Sequence, residues 1–295
     1  MSHPPRSLGV LLIALLVPLS LQLHARHISF EPGDVFVSLE PGPVQWRSPD
    51  GTLRSVLVPT VVGTGEGMSF DSSGNLYVTR WCIDGPCDTG NAVEMFNVLG
   101  QSMGQVGDNF NCNPHTIVIL PDDTTYVGQS GCRRTLLRFV PTETSATEFV
   151  VAEDSLGVFW MDLAPDGCTM FYTSAGPNVK RFDVCTNTQL ADFNVAPMPG
   201  GITQDLRVLP DGGVLVSSGQ VIARLDHTGT VVQTYEVPGE GALWAGLDFA
   251  EPGTFWAGNY FSSNVHKFNL ADGARLTSFD AGTPPNSVVG IRVMR

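Results

Sequence analysis

Glu66-Gly67-Met68-Ser69-Phe70-Asp71-Ser72-Ser73-Gly74-Asn75-Leu76-Tyr77-Val78 reads as a strand, a tight turn and a second strand, and the pattern recurs along the chain. The copies are Ile117 to Asp123, Met161-Asp162-Leu163-Ala164-Pro165-Asp166-Gly167, Leu206 to Gly212 and Leu247 to Gly253, with Ile291-Arg292-Val293-Met294 at the carboxyl end. With Phe70, Leu120, Ala164, Leu209, Ala250 and Met294 taken as equivalent, the steps are 50, 44, 45, 41 and 44 residues. That is the length of a four-stranded propeller blade.

The remaining strands keep step with this frame. Second strands read Val35-Phe36-Val37, Leu76-Tyr77-Val78, Thr125-Tyr126-Val127, Met170-Phe171-Tyr172, Val214-Leu215-Val216 and Phe255-Trp256-Ala257. Third strands end in Asp50-Gly51, Thr228-Gly229 or Asp272-Gly273, where glycine tolerates the positive φ of a hairpin turn. The first blade has no inner strand at the amino end; Val288 to Met294 supplies it. The sequence therefore predicts an all-β, six-bladed β-propeller of four-stranded antiparallel blades, with the first blade closed by the C-terminal strand. Closure of this kind hides sheet edges.

Composition agrees. The 295 residues include 53 Gly and Pro but only 45 charged residues, which excludes a coiled coil or charged helical bundle. A formal charge of −13, with only Lys180 and Lys267 as lysines, argues against nucleic acid or an anionic membrane as partner. Arg6, the apolar run from Leu8 to Leu23 and a small residue at Ala25 read as a secretory signal over residues 1–25, leaving 26–295 as one propeller domain. The mature protein is expected to be secreted or periplasmic, monomeric and without a membrane span.

All six cysteines lie beyond the signal, as befits an oxidising compartment. The blade register pairs Cys168 with Cys185 across a hairpin, places Cys82 and Cys87 in one loop, and sets Cys112 and Cys132 in adjoining loops of the third blade. Three disulfides are expected in that pairing. A zinc site on Cys82, Cys87, Cys112 and Cys132 is the less favoured reading, because their spacing is not a Cys-pair knuckle.

Inner strands start at the face called the top, so loops between blades share that face and are the place to seek function. Four residues before each anchor stand Glu66, Thr116, Trp160, Asp205, Gly246 and Gly290, with His115 one residue earlier in its blade. Glu66, His115 and Asp205 are candidate ligands for a divalent cation such as calcium, with Asp205 as candidate catalytic base; the plain alternative is capping or hydrogen bonding at strand starts. Two residues before the anchor, Asp162, Arg207, Asp248 and Arg292 alternate in sign and are read as an inter-blade ion-pair belt in preference to a substrate clamp. Trp81, Asn113, Trp244 and Tyr260 are candidate ligand-binding residues, the aromatic ones offering apolar edges and Asn113 belonging to an oxygen-rich loop from Asp108. No nucleophile elbow, phosphate loop or zinc-protease helix motif occurs.

The stretch Glu66 to Val78 resembles the opening motif of gluconolactonase and senescence-marker-type propellers. Ala164-Pro165-Asp166-Gly167, Met170-Phe171-Tyr172 and Val179-Lys180-Arg181-Phe182-Asp183 resemble a later blade of the same superfamily, which includes NHL-repeat and virginiamycin B lyase-like proteins. The resemblance implies a divalent ion held near the channel, with Glu66 at the family's Glu position and Asp205 at the Asp that also moves protons. The family's Asn ligands are not matched at Thr116 or Trp160. The lyase-like group uses channel histidines, for which His115 is the candidate. Two functions follow as expectations. One is a secreted propeller binding a small molecule or extracellular protein on its top face, and the other is a divalent-metal-dependent lactonase.

Overall fold

A computed structural model describes residues 28–58, 63–82, 90–107, 110, 112–241 and 243–295. Their strands form six four-stranded antiparallel sheets. Blade 1 holds β1 (Val35–Leu39), β2 (Val44–Arg47) and β3 (Leu53–Val58); blade 2 holds β4 (Thr64–Phe70), β5 (Leu76–Trp81), β6 (Ala92–Phe96) and β7 (Ser102–Val106). Blade 3 is β8 (Asn113–Ile119), β9 (Thr125–Ser130), β10 (Thr135–Phe139) and β11 (Thr147–Val150). Blade 4 is β12 (Trp160–Leu163), β13 (Thr169–Thr173), β14 (Lys180–Asp183) and β15 (Thr188–Gln189). Blade 5 is β16 (Thr203–Val208), β17 (Val214–Ser218), β18 (Val221–Leu225) and β19 (Val231–Tyr235). Blade 6 is β20 (Trp244–Phe249), β21 (Thr254–Asn259), β22 (Asn264–Asn269) and β23 (Arg275–Asp280). The last strand, β24 (Val288–Val293), pairs with β1 in the register Val35↔Val293 and Val37↔Ile291, completing blade 1 as its inner strand.

The apolar core is divided among the spaces between blades. Phe36, Trp46, Met68, Leu76 and Phe96 fill the space between blades 1 and 2. Val35, Val37, Trp256, Val265 and Ile291 fill the one where the ring closes. Each inner and second strand is covered on both faces, which explains the near-continuous buried runs in β1, β17 and β20. Outer strands are half solvated and leave Met103, Val150, Val232 and Leu276 exposed.

Inner strands meet closely around the channel. A Cβ on Gly290 would fall 2.5 Å from the Glu66 carbonyl, and one on Gly246 would fall 2.8 Å from the Gly290 backbone, so neither position admits a side chain. Second-strand hydroxyls stitch neighbouring blades. Thr79 Oγ1 accepts the Gly67 N–H at 2.9 Å and reaches the His115 carbonyl at 3.1 Å, and Ser38 Oγ donates to the Glu66 carbonyl at 2.8 Å.

Two expected disulfides are present, Cys112–Cys132 and Cys168–Cys185, with Cα separations of 5.6 and 5.3 Å. Cys87, and with it the expected Cys82–Cys87 bond, lies outside the described residues, as does the whole 1–25 secretory reading. Among the described residues no helix is long and apolar enough to cross a membrane. That finding and the two disulfides fit an extracytoplasmic protein.

Candidate functional site

A β-bulge in the inner strand decides which side chains face the channel. The register shifts at Gly65/Met68 in β4, Pro114/Thr116 in β8, Thr203/Leu206 in β16, Trp244/Gly246 in β20 and opposite Ser38/Leu39 in β24. An extra residue re-aims the side chains beside it. Glu66, His115, Gln204, Ala245 and Val289 from the bulged strands, with Phe159 just ahead of β12, line one top-face cavity of about 420 Å³, one residue from each blade. Trp81, Asn113 and Tyr260 border the same cavity, so five of the seven candidate ligand and metal residues converge there.

Asp205 and Trp244 do not, and this corrects the sequence expectation for both. Strand side chains alternate, so a one-residue difference selects the opposite side: Gln204 enters the cavity and Asp205 turns away. Asp205 is fully buried, accepts the Arg207 guanidinium at 2.7 Å and accepts the Leu247 N–H at 2.6 Å. Burial pushes its carboxyl well above the usual range, opposed by Arg207 and the Leu247 N–H. Both of its carboxylate oxygens are thus taken by partners away from the cavity. Trp244 is likewise fully buried, with its indole N–H donated to the Gln220 carbonyl at 3.0 Å.

Inside the cavity the polar groups are short of partners. Glu66 Oε2 stands 3.9 Å from His115 Nε2, and both side chains are more than nine-tenths buried. Burial pushes Glu66 well above its ordinary value, and nearby Glu40 adds to this; the Trp81 indole offsets part of it without reaching full hydrogen-bond geometry. Burial also drives the His115 imidazole down to about 3, leaving it neutral over the ordinary pH range. Its Nδ1 has no hydrogen-bond partner. The ring lies tilted against Phe159 at 3.9 Å, and 5.7 Å from Trp160 and 6.5 Å from Trp81 between centroids. At the rim, Tyr260 donates its hydroxyl to Glu40 at 3.1 Å.

Trp160 forms the floor. It belongs to blade 4, yet its Cη2 would lie 3.1 Å from a Cβ on Gly290 in blade 1, directly across the ring. Below it the expected ion-pair belt is formed in part: among the described residues Asp162 makes no ion pair within 4 Å and Arg292 approaches Asp248 only to 3.8 Å. Arg207 bridges Asp205 and Asp248, the latter at 3.0 Å from Nε, and Arg295 reaches Asp248 at 2.6 Å. Asp162 accepts the Val208 N–H at 2.9 Å, and Asp248 accepts the Val293 N–H at 2.8 Å. Burial alone would raise Asp248, but Arg295, Arg292, Arg207 and the Val293 N–H together hold it down to about 2.

A divalent cation fits this set poorly. Among the described residues no third His, Cys or carboxylate side chain joins Glu66 and His115 within 4.8 Å. Cys168, Asp183 and Cys185 do bring three such atoms within that distance, but the two sulfurs are bonded to each other and offer no thiolate. Gln204, Ala245 and Val289 escaped the sequence reading because the bulge displaces the lining position, and Phe159 because it stands just before β12. The available signal was His115 itself, which already stood one residue ahead of the frame.

Solved structures with similar backbones include a protein of unknown function from Bacteroides caccae, 13% identical, covering 90% of this chain and all of that one at a TM-score of 0.70. A nidogen/laminin complex matches with a TM-score of 0.71 at 12% identity, over 88% of this chain and 97% of that one. Virginiamycin B lyase from Staphylococcus aureus, in a catalytically inactive form with quinupristin, matches at 13% identity over 75% of this chain and 71% of that one, with a TM-score of 0.57. At these identities the likeness is one of fold. No family model and no curated protein sequence matches the chain.

Proposed function

We propose that this propeller works outside the cytoplasm as a receptor for a small molecule, bound in the top-face cavity between Trp81, Phe159 and Trp160. The observation that carries this reading is convergence. All six blades send a side chain from the start of the inner strand into one cavity, where Trp81 Nε1 and His115 Nδ1 make no hydrogen bond of full geometry. Buried polar atoms in native proteins are normally satisfied, and unsatisfied ones in an aromatic cavity are what a ligand completes. The quinupristin-bound lyase neighbour is an instance of the fold holding a ligand. An extracellular protein partner would meet the same face at the exposed Ile202 and Phe261.

The test is a fragment panel read by thermal shift and tryptophan emission on the mature protein and on Trp81→Ala. Hits whose shift disappears in the variant are expected; hits indifferent to Trp81, or none, would remove the cavity from consideration. The metal-dependent lactonase reading keeps one supporting observation, the approach of Glu66 to His115. Metal analysis and a lactone panel with a Glu66→Ala control test it, and turnover that survives that substitution would end it.

A further inference from the structure

Resting on the small-molecule reading above, we infer that the ligand of this cavity is an organic cation, an amine or quaternary ammonium group held between the aromatic walls and the carboxylates of Glu66 and Glu40. No Lys or Arg lines the cavity among its described residues, whereas two carboxylates do. Glu66 is the deep one, with its side chain 7% exposed, and the nearest nitrogen base, His115 Nε2, stands 3.9 Å away. Burial keeps that imidazole neutral, so it is no counter-ion. The buried carboxylate of Asp248 below the floor makes the contrast, meeting Arg207 and Arg295 at 3.0 and 2.6 Å. Without a cationic partner, burial pushes Glu66 toward its neutral acid, and a cationic ligand would restore the carboxylate by pairing with it.

The walls fit the same class. Trp81, Phe159 and Trp160 present ring surface around Glu66 and His115, and Tyr260 stands at the rim with its hydroxyl on Glu40. Aromatic faces attract soft organic cations through the ring quadrupole and supply no ligand atom to a metal ion. A space of about 420 Å³ is also far larger than a bare ion requires. The formal charge of −13 draws cations toward the molecule from a distance.

The experiment compares phenyltrimethylammonium chloride with its neutral isostere tert-butylbenzene at constant ionic strength, using tryptophan emission of the mature protein and a CaCl₂ titration in parallel. We expect the cation to bind about tenfold or more tightly than the isostere, the range a desolvated cation–π contact with a carboxylate partner supplies. Glu66→Gln should erase that preference, and the rim variant Glu40→Gln should weaken it about two- to threefold. Unchanged melting of both variants separates binding from folding. Equal or tighter binding of tert-butylbenzene overturns the cationic assignment and leaves a neutral-ligand cavity. Calcium that displaces the probe at one equivalent overturns it in favour of a metal. If neither probe perturbs the emission, it is overturned as well, and the fragment panel then decides the broader reading by itself.

Discussion

The upper cavity and the lower channel are built from the same six inner strands, a few residues apart, yet they are opposite in character. Below the Trp160 floor, Arg207 bridges Asp205 and Asp248, while Asp162 and Asp248 each accept a backbone N–H from the next blade. Above it, Glu66 and His115 face each other without a bond, and the remaining inner-strand contributors are Phe159, Gln204, Ala245 and Val289. One level pairs most of its own charges and ties the ring together. The other leaves polar groups unsatisfied inside an aromatic wall, which gives up stability and creates a place for something else.

The largest way to break this contrast is to remove the strand both levels share. Deleting Val288–Arg295 takes Val289 from the cavity, Arg292 and Arg295 from the belt, and opens the edge of β1. Loss of a single cooperative transition in calorimetry is expected; an unchanged melting curve would mean that ring closure is not what holds the blades. A narrower cut is Arg207→Ala, which strands Asp205 and Asp248 in the interior. Breaking a buried pair from one side costs about 3–5 kcal/mol, to be read from denaturant midpoints with the upper cavity intact. A variant of wild-type stability would show that the belt serves a ligand instead.

Much of this was legible in the sequence. The repeat of Pro-Asp-Gly-like turns near 44 residues gave the blade count, and the orphan strand Ile291 to Met294 gave the closure. Of the alternating Asp162, Arg207, Asp248 and Arg292, the Arg207–Asp248 pair and the Arg292 approach to Asp248 were legible, because a fixed offset in a repeat places equivalent residues at one height. The cavity was only half legible. Glu66 and His115 were found, but the bulge that admits Gln204 and excludes Asp205 depends on local ladder geometry that residue spacing does not carry. Trp244 failed for a different reason: an aromatic at a strand start belongs equally to a rim or a core, and only packing against Tyr235 and Phe268 decides it.

The finest test sharpens the upper level alone and runs through pH. The folded His115 is held down to about 3 from an ordinary 6.5, so the unfolded chain binds its proton more readily. A group depressed in this way contributes stability that is fully present above about pH 6.5 and is lost as pH falls toward 3. Asp248, held near 2, has the same sign but acts only below about pH 4. The depressed His266 and the raised Glu66, Asp162 and Asp205 also respond between about pH 6.5 and 4.5, so the His115 share is read only as a difference from a variant without the imidazole. His115→Phe keeps the ring against Phe159 and removes the titration. Between pH 7 and 4.5 the wild type is expected to lose about 2–3 kcal/mol more than this variant in urea midpoints. Glu66, raised by burial, changes in the opposite direction in both proteins and largely cancels in the difference. Parallel pH profiles would mean that the imidazole is hydrated in the folded state, and the partner-poor chamber above Trp160 would lose its physical basis.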